Sequence, residues 1–157
     1  MKYDKINAQL FIKNRKNFAS AMRKNSLAVF NSNDIYPISA DSTLPFEQHT
    51  DILYLSGVNQ EESVLVLFPD CPNENLREVL FVRETNDHIA VWEGEKLTKE
   101  TAFETSGIKT VYWLQDLEKI LFEIIVFPTR ESFFSIKAIF EDVSLTSKLT
   151  RDEIVQP

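Results

Sequence analysis

SADSTLPFEQHTDILYLSGVNQEESVLVLF, Ser39 to Phe68, holds the pattern on which the fold turns. Its last six residues, Ser63–Phe68, are apolar at five consecutive positions. A strand with one wet face alternates polar and apolar residues, so an unbroken run predicts a central strand covered on both faces by helices. Upstream, Ile52–Leu55 is a second β-prone run, separated from the first by the polar link GVNQEE. Ahead of it Glu47, His49 and Asp51 alternate, and alternate side chains of an extended segment share a face. Two carboxylates and an imidazole on one face suit zinc or manganese. Alternating polar residues leading into a strand are equally what an exposed edge shows, and both readings stand at this point.

Outward from that stretch, apolar residues recur at Ile6, Leu10, Phe11, Phe18, Ala21 and Met22, which predicts an amphipathic helix over about Asp4–Lys24, ended by Asn25. Lys13, Arg15, Lys16, Arg23 and Lys24 lie between them and read as a solvated basic face rather than a site for nucleic acid or anionic lipid. Ser26–Phe30 is a short apolar strand. Arg77–Arg83 and His88–Trp92 flank a turn-rich Thr85–Asp87 and read as a hairpin. Thr98 is a candidate N-cap and Gly107 a candidate left-handed C-terminal residue for the helix between them. A strand over Thr110–Trp113 and a helix over Leu114–Ile125 follow, the helix apolar at Leu117, Ile120, Leu121 and Ile124. The tail predicts one more strand around Phe133–Ile136 and a short helix around Lys137–Asp142. Irregular alternation of strands and helices with one hairpin means a mixed sheet in an α/β domain.

The totals bound the function. The chain has 157 residues, 43% hydrophobic and 26% charged, which is one globular domain with a core that needs neither disulfides nor a structural metal. No apolar run nears the roughly 18 residues of a membrane span, and the N-terminus is not a secretory signal, so a cytoplasmic location is expected. A net charge of −7 argues against a nucleic-acid surface. The single Cys71, in the turn-like PDCPNEN, reads as an incidental loop thiol. The three glycines, Gly57, Gly94 and Gly107, are isolated, which excludes a phosphate-binding loop. Neither a GxSxG elbow nor HExxH nor paired CxxC occurs, and the two histidines, His49 and His88, cannot make a His-rich metal site.

Asp41, Ser42, Pro45, Phe46, Gln48, Asp51, Tyr54, Leu55, Ser56 and Gly57, followed by VLVLF, stand at the offsets of a known pattern. The stretch resembles the N-terminal domain of the Xaa-Pro aminopeptidases (aminopeptidase P), whose fold is shared with creatinase and prolidase. VWEGEKLTKETAFETSGI resembles that family's Trp-x-Gly-Arg-x-Leu segment and short helix, and RKNFASAMRKNSLAVF its Arg-rich first helix and strand. Together they cover about Asn14–Leu121.

The resemblance implies a mixed β-sheet flanked by helices, described as ribonuclease H-like, that walls a substrate cleft and builds dimers or tetramers. It implies that proline-containing peptides are cleaved in a second, C-terminal pita-bread domain holding two divalent metals, usually manganese, so this chain, ending at Pro157, is expected to be inactive alone. A non-catalytic peptide- or protein-binding module of the same fold is the alternative. Trp92 matches a family tryptophan that in tetramers reaches a neighbouring subunit's active site, where an indole packs on substrate; half-burial at a strand end is its plainer reading. Asp51 and Tyr54 fit as turn-fixing and packing residues. Glu47 stands where the family usually has Arg, which puts any role of that arginine in doubt here.

Overall fold

A computed structural model describes residues 6–39, 42–85 and 96–126. Helix α1, Ala8–Ala21, starts at Asn7, whose side chain accepts from the Gln9 amide at 2.9 Å, satisfying one of the donors that a helix N-terminus leaves open. Among the described residues four strands build one sheet: β1 Ala28–Asn31, β4 Val64–Leu67, β5 Glu78–Val82 and β6 Thr110–Trp113, in the order β1-β4-β5-β6. The β1–β4 and β4–β5 pairs are antiparallel and β5–β6 is parallel. A separate two-stranded hairpin pairs β2, Pro37–Ser39, with β3, Ser42–Thr43. Helices α2 (Thr50–Ser56), α3 (Lys99–Ser106) and α4 (Leu117–Val126) complete the described elements, with single 3-10 turns at Glu74–Leu76 and Leu114–Asp116.

The unbroken apolar run is a central strand, as its composition requires. Leu65 and Leu67 of β4, with Leu80 and Val82 of β5, join Ile52, Leu55, Ala102 and Ile108 on one face. Val64, Val66, Val79 and Phe81 point the other way, onto Leu117, Ile120 and Ile124 of α4 and onto Cys71 and Leu76. The period of two sends successive side chains to opposite faces, and both faces are dry. Phe18 meets Phe30 edge-on at 5.2 Å, bringing α1 against the first face. The result is a mixed sheet flanked by helices.

Three expectations are corrected, and the reading of Cys71 as an incidental loop thiol stands with the addition of its burial. Ile52–Leu55 is helix α2 rather than strand: Ile52, Leu55 and Ser56 face inward at helical spacing while Leu53 and Tyr54 stay exposed. Its end is set at Gly57, φ 71°, whose amide donates to Leu53 O at 2.9 Å. An added Cβ there would lie 2.3 Å from the Phe11 ring, so glycine serves both the left-handed turn and the close approach of α1. Ile6 and Leu10 lie outside the inner face of α1, at 62% and 48% exposure, and Arg15 lies inside it, fully buried. Cys71 is buried in the second core cluster, and burial pushes its thiol up, away from the nucleophilic thiolate. The helix expected from Leu114 begins with a 3-10 turn and becomes α-helical at Leu117.

The helix between Thr98 and Gly107 is present, with a capping box at Thr98 and Thr101 and Gly107 at φ 72°. The strand within His88–Trp92 and the elements around Phe133–Ile136 and Lys137–Asp142 lie outside the described residues.

Candidate functional site

Glu47, His49 and Asp51 do not share a strand face. His49 is the N-cap of α2: its Nδ1 accepts from the Asp51 amide at 3.3 Å. Asp51 sits in the first turn, where a carboxylate favours the helix dipole. The Glu47 carbonyl accepts from Asn33 Nδ2 at 2.9 Å, and Glu47 itself is exposed. Among the described residues no group of three or more His, Cys, Asp or Glu side chains is arranged to hold a metal ion. Tyr54 is 58% exposed, so its packing role is corrected. Trp92 lies outside the described residues.

What the fold does assemble is a buried polar network beside this loop. Gln48 Nε2 donates to Val58 O at 3.1 Å and to Gln60 O at 2.9 Å. Its Oε1 accepts from the His49 amide at 2.8 Å and the Asn33 amide at 3.3 Å. One amide thereby ties the chain after β1, the start of α2 and the link into β4. Gln60 Oε1 then accepts from the Leu97 amide at 2.7 Å, just ahead of α3, while its buried Nε2 has no partner among the described residues.

Glu61, 6% exposed, is the charged centre of the network. Its carboxylate accepts from Lys96 Nζ and lies 3.8 Å from Arg83 Nη1. Burial by itself would raise the Glu61 carboxyl. The Lys96 hydrogen bond, its own backbone amide and the positive charges of Lys96 and Arg83 outweigh that and hold it below the ordinary glutamate range. Glu62 adopts φ 51°, and its half-exposed carboxylate lies 3.6 Å from Arg83 Nε. A carboxylate already neutralised by two cations is a poor metal donor, so this cluster does not fit a metal either.

Gln48, Gln60, Glu61, Arg83 and Lys96 escaped the sequence reading. Gln48 stood within the recognised pattern and QEE ran directly into a fully buried strand, which is the signal that these side chains begin inside. Their partners, 35 or more residues away in the case of Lys96 and Leu97, are invisible before folding.

Residues 11–131 match the family model described as aminopeptidase P, N-terminal domain. The Xaa-Pro aminopeptidase of Escherichia coli K12 is 28% identical over 120 residues, covering 76% of this chain and 27% of that protein. Intermediate cleaving peptidase 55, mitochondrial, of Arabidopsis thaliana is 28% identical over 120 residues, covering 76% of this chain and 23% of its own length. Among solved structures, Pseudomonas aeruginosa aminopeptidase PepP superposes with TM-score 0.70 at 26% identity, over 77% of this chain and 27% of that one. The zinc-substituted E. coli aminopeptidase P in complex with product gives 0.68 at 28% identity, over 77% and 27%. The chain thus spans about a quarter of the length of these relatives, and it belongs to the aminopeptidase P N-terminal domain family.

Proposed function

We propose that this chain is a single domain serving as the N-terminal substrate-cleft and oligomerisation domain of an Xaa-Pro aminopeptidase-like metallopeptidase that removes the residue preceding proline from peptides. The observation that carries the reading is the family match over residues 11–131, which corresponds to the N-terminal domain of relatives about four times as long as the match. Two polar side chains beside the loop ahead of α2 are engaged within the fold itself, His49 in a helix cap and Glu61 with two cations. Exposed apolar side chains on and beside the hairpin, Tyr36 at 69%, Ile38 at 57% and Leu44 at 49%, are what a domain that meets a neighbour presents.

On this reading the catalytic part of such an enzyme would hold two divalent cations, usually manganese, which would supply Lewis-acid and water activation for cleavage before proline. The residues of this chain shape and close the cleft, Trp92 packs on substrate of a neighbouring subunit in a homo-oligomer, and the protein works in the cytoplasm. No helix among the described residues is long and apolar enough to cross a membrane.

The purified chain, supplied with manganese and an Ala-Pro peptide, is expected to release no alanine. Turnover that survives repurification would overturn the non-catalytic assignment. The reading frame that encodes the chain separates the proposal from a binding module of the same fold: a complete metal-ligand set downstream supports the peptidase, and an eroded set supports the module.

A further inference from the structure

Helices α2 and α3 end in the same way. Ser56-Gly57-Val58 closes the first and Ser106-Gly107-Ile108 the second. Each serine hydroxyl donates to the carbonyl one turn back, Ser56 to Ile52 O at 2.6 Å and Ser106 to Ala102 O at 2.7 Å. Each then accepts from the amide just past the glycine, that of Val58 or Ile108, at 3.1 Å in both corners. The glycines stand at φ 71° and 72°, and Val58 and Ile108 are fully buried in the first core cluster. Each corner therefore turns the chain out of the helix and into the core, and leaves carbonyls of the last turn in need of donors.

Helix α1 grips both corners. Its Phe11 ring covers Gly57 and its Ile12 side chain covers Gly107, where an added Cβ would lie 2.3 Å and 2.7 Å away. Further along the same helix Asn14 Nδ2 donates to Tyr54 O at 2.8 Å, and Nη1 of the buried Arg15 donates to both Leu55 O and Ser106 O. At the opposite ends of the two helices, Gln48 ahead of α2 holds Gln60 O, and Gln60 Oε1 holds the Leu97 amide ahead of α3. The two helices therefore run parallel, their entrances joined through two buried glutamines and their exits through one buried arginine. Parallel neighbours bring like ends of their dipoles together, and a cation between the two C-termini offsets that.

We propose that α2 and α3 form one cooperative body, locked by α1, that opens from the sheet as a unit and separately from α4. The physical reason is the sharing of buried polar partners. Neither helix moves outward alone without stripping Arg15 or Gln60 of a partner, and a buried group left unsatisfied costs more than the bond it lost was worth. Helix α4 takes no part in these bonds and packs on the other face of the sheet through Leu117, Ile120 and Ile124. A contact made on the outer face of one helix, where Leu53 and Phe103 are exposed, is then felt by the other. The coupling does not rest on the function proposed above, and its test needs no peptidase activity.

Native-state hydrogen exchange of the whole chain, resolved by amide where closing outruns exchange, tests this with a perturbation placed on one helix at a time. Thr98→Ala removes the capping box of α3. His49→Ala removes the N-cap of α2. Each loss is small beside the stability of a domain, so both variants remain folded. Each is expected to speed exchange about fivefold in the slowest amides of α2 and α3 alike, and to leave those of α4 where they were. Acceleration confined to the helix that carries the substitution would overturn the cooperative body. Equal acceleration in α4 would overturn it too, by reducing the event to opening of the whole domain.

Discussion

Two buried charges sit on the helical side and at one end of the sheet, and they are satisfied by different kinds of partner. Arg15 of α1 is fully buried. Its Nη1 donates to Leu55 O at 2.8 Å and Ser106 O at 2.9 Å, the carbonyls near the C-termini of α2 and α3, and its Nε donates to Glu78 at 2.9 Å. Helix C-termini expose unpaired carbonyls and carry partial negative charge, so one planar guanidinium ties three helices and β5 together. Glu61 is instead neutralised by side chains, Lys96 and Arg83, that flank a single segment. The charge held by backbone fastens the layers of the fold. The charge held by side chains joins the end of β5 and the approach to α3 to the link ahead of β4.

The largest expected effect tests the first half of that contrast. Arg15→Met keeps most of the aliphatic bulk but strands two buried carbonyls, and a loss of about 3–5 kcal/mol is expected from chemical denaturation. A loss under about 1 kcal/mol would mean that the helix ends find other donors and that Arg15 is no keystone.

Next in size, Glu61→Gln should cost about 1–3 kcal/mol at neutral pH, because Lys96 and Arg83 lose their shared counter-charge. The folded-state carboxyl of Glu61 is depressed, so its contribution is present above the ordinary glutamate value of about 4.3 and is lost as pH falls below that value through the folded one. Denaturation of wild type and variant across that window should show the gap between them closing as the pH falls. A constant gap would assign the cost to shape rather than charge. The smallest effect belongs to Glu78→Gln, about 1 kcal/mol or less: Glu78 is 38% exposed, an amide oxygen still accepts from Nε, and the two carbonyl contacts of Arg15 persist. If Glu78→Gln proved as damaging as Arg15→Met, the carboxylate rather than the carbonyls would be the true partner.

The two charges also mark how far the sequence could be read. Arg15 was placed on a solvated face because basic residues on an amphipathic helix normally are; nothing local distinguishes it from Lys13 or Lys16. Its destination depends on two helix ends 40 and 91 residues further along. Helix α2 misled for a different reason. Ile-Leu-Tyr-Leu is β-prone by composition, and at this length propensity is a weak guide. The deciding marks were present in polar residues, with His49 and Asp51 at the start and Gly57 at the end. Two of the trio that resembled a ligand face, His49 and Asp51, form the start of a helix, and Glu47 lies exposed ahead of it.

The sequence by itself determined the central strand, since an unbroken apolar run of five has no stable place with a wet face. It determined the ends of α3 through Thr98 and Gly107, and the inner stripe of α4 at Leu117, Ile120 and Ile124, because caps and periodicity act over a few residues. It also carried the family, through a pattern spread along more than a hundred positions. The tertiary structure alone decided the fate of Arg15, Gln48 and Glu61. A buried polar group is stable where partners converge on it, and here those partners come from elements far apart in the chain and meet when the layers close.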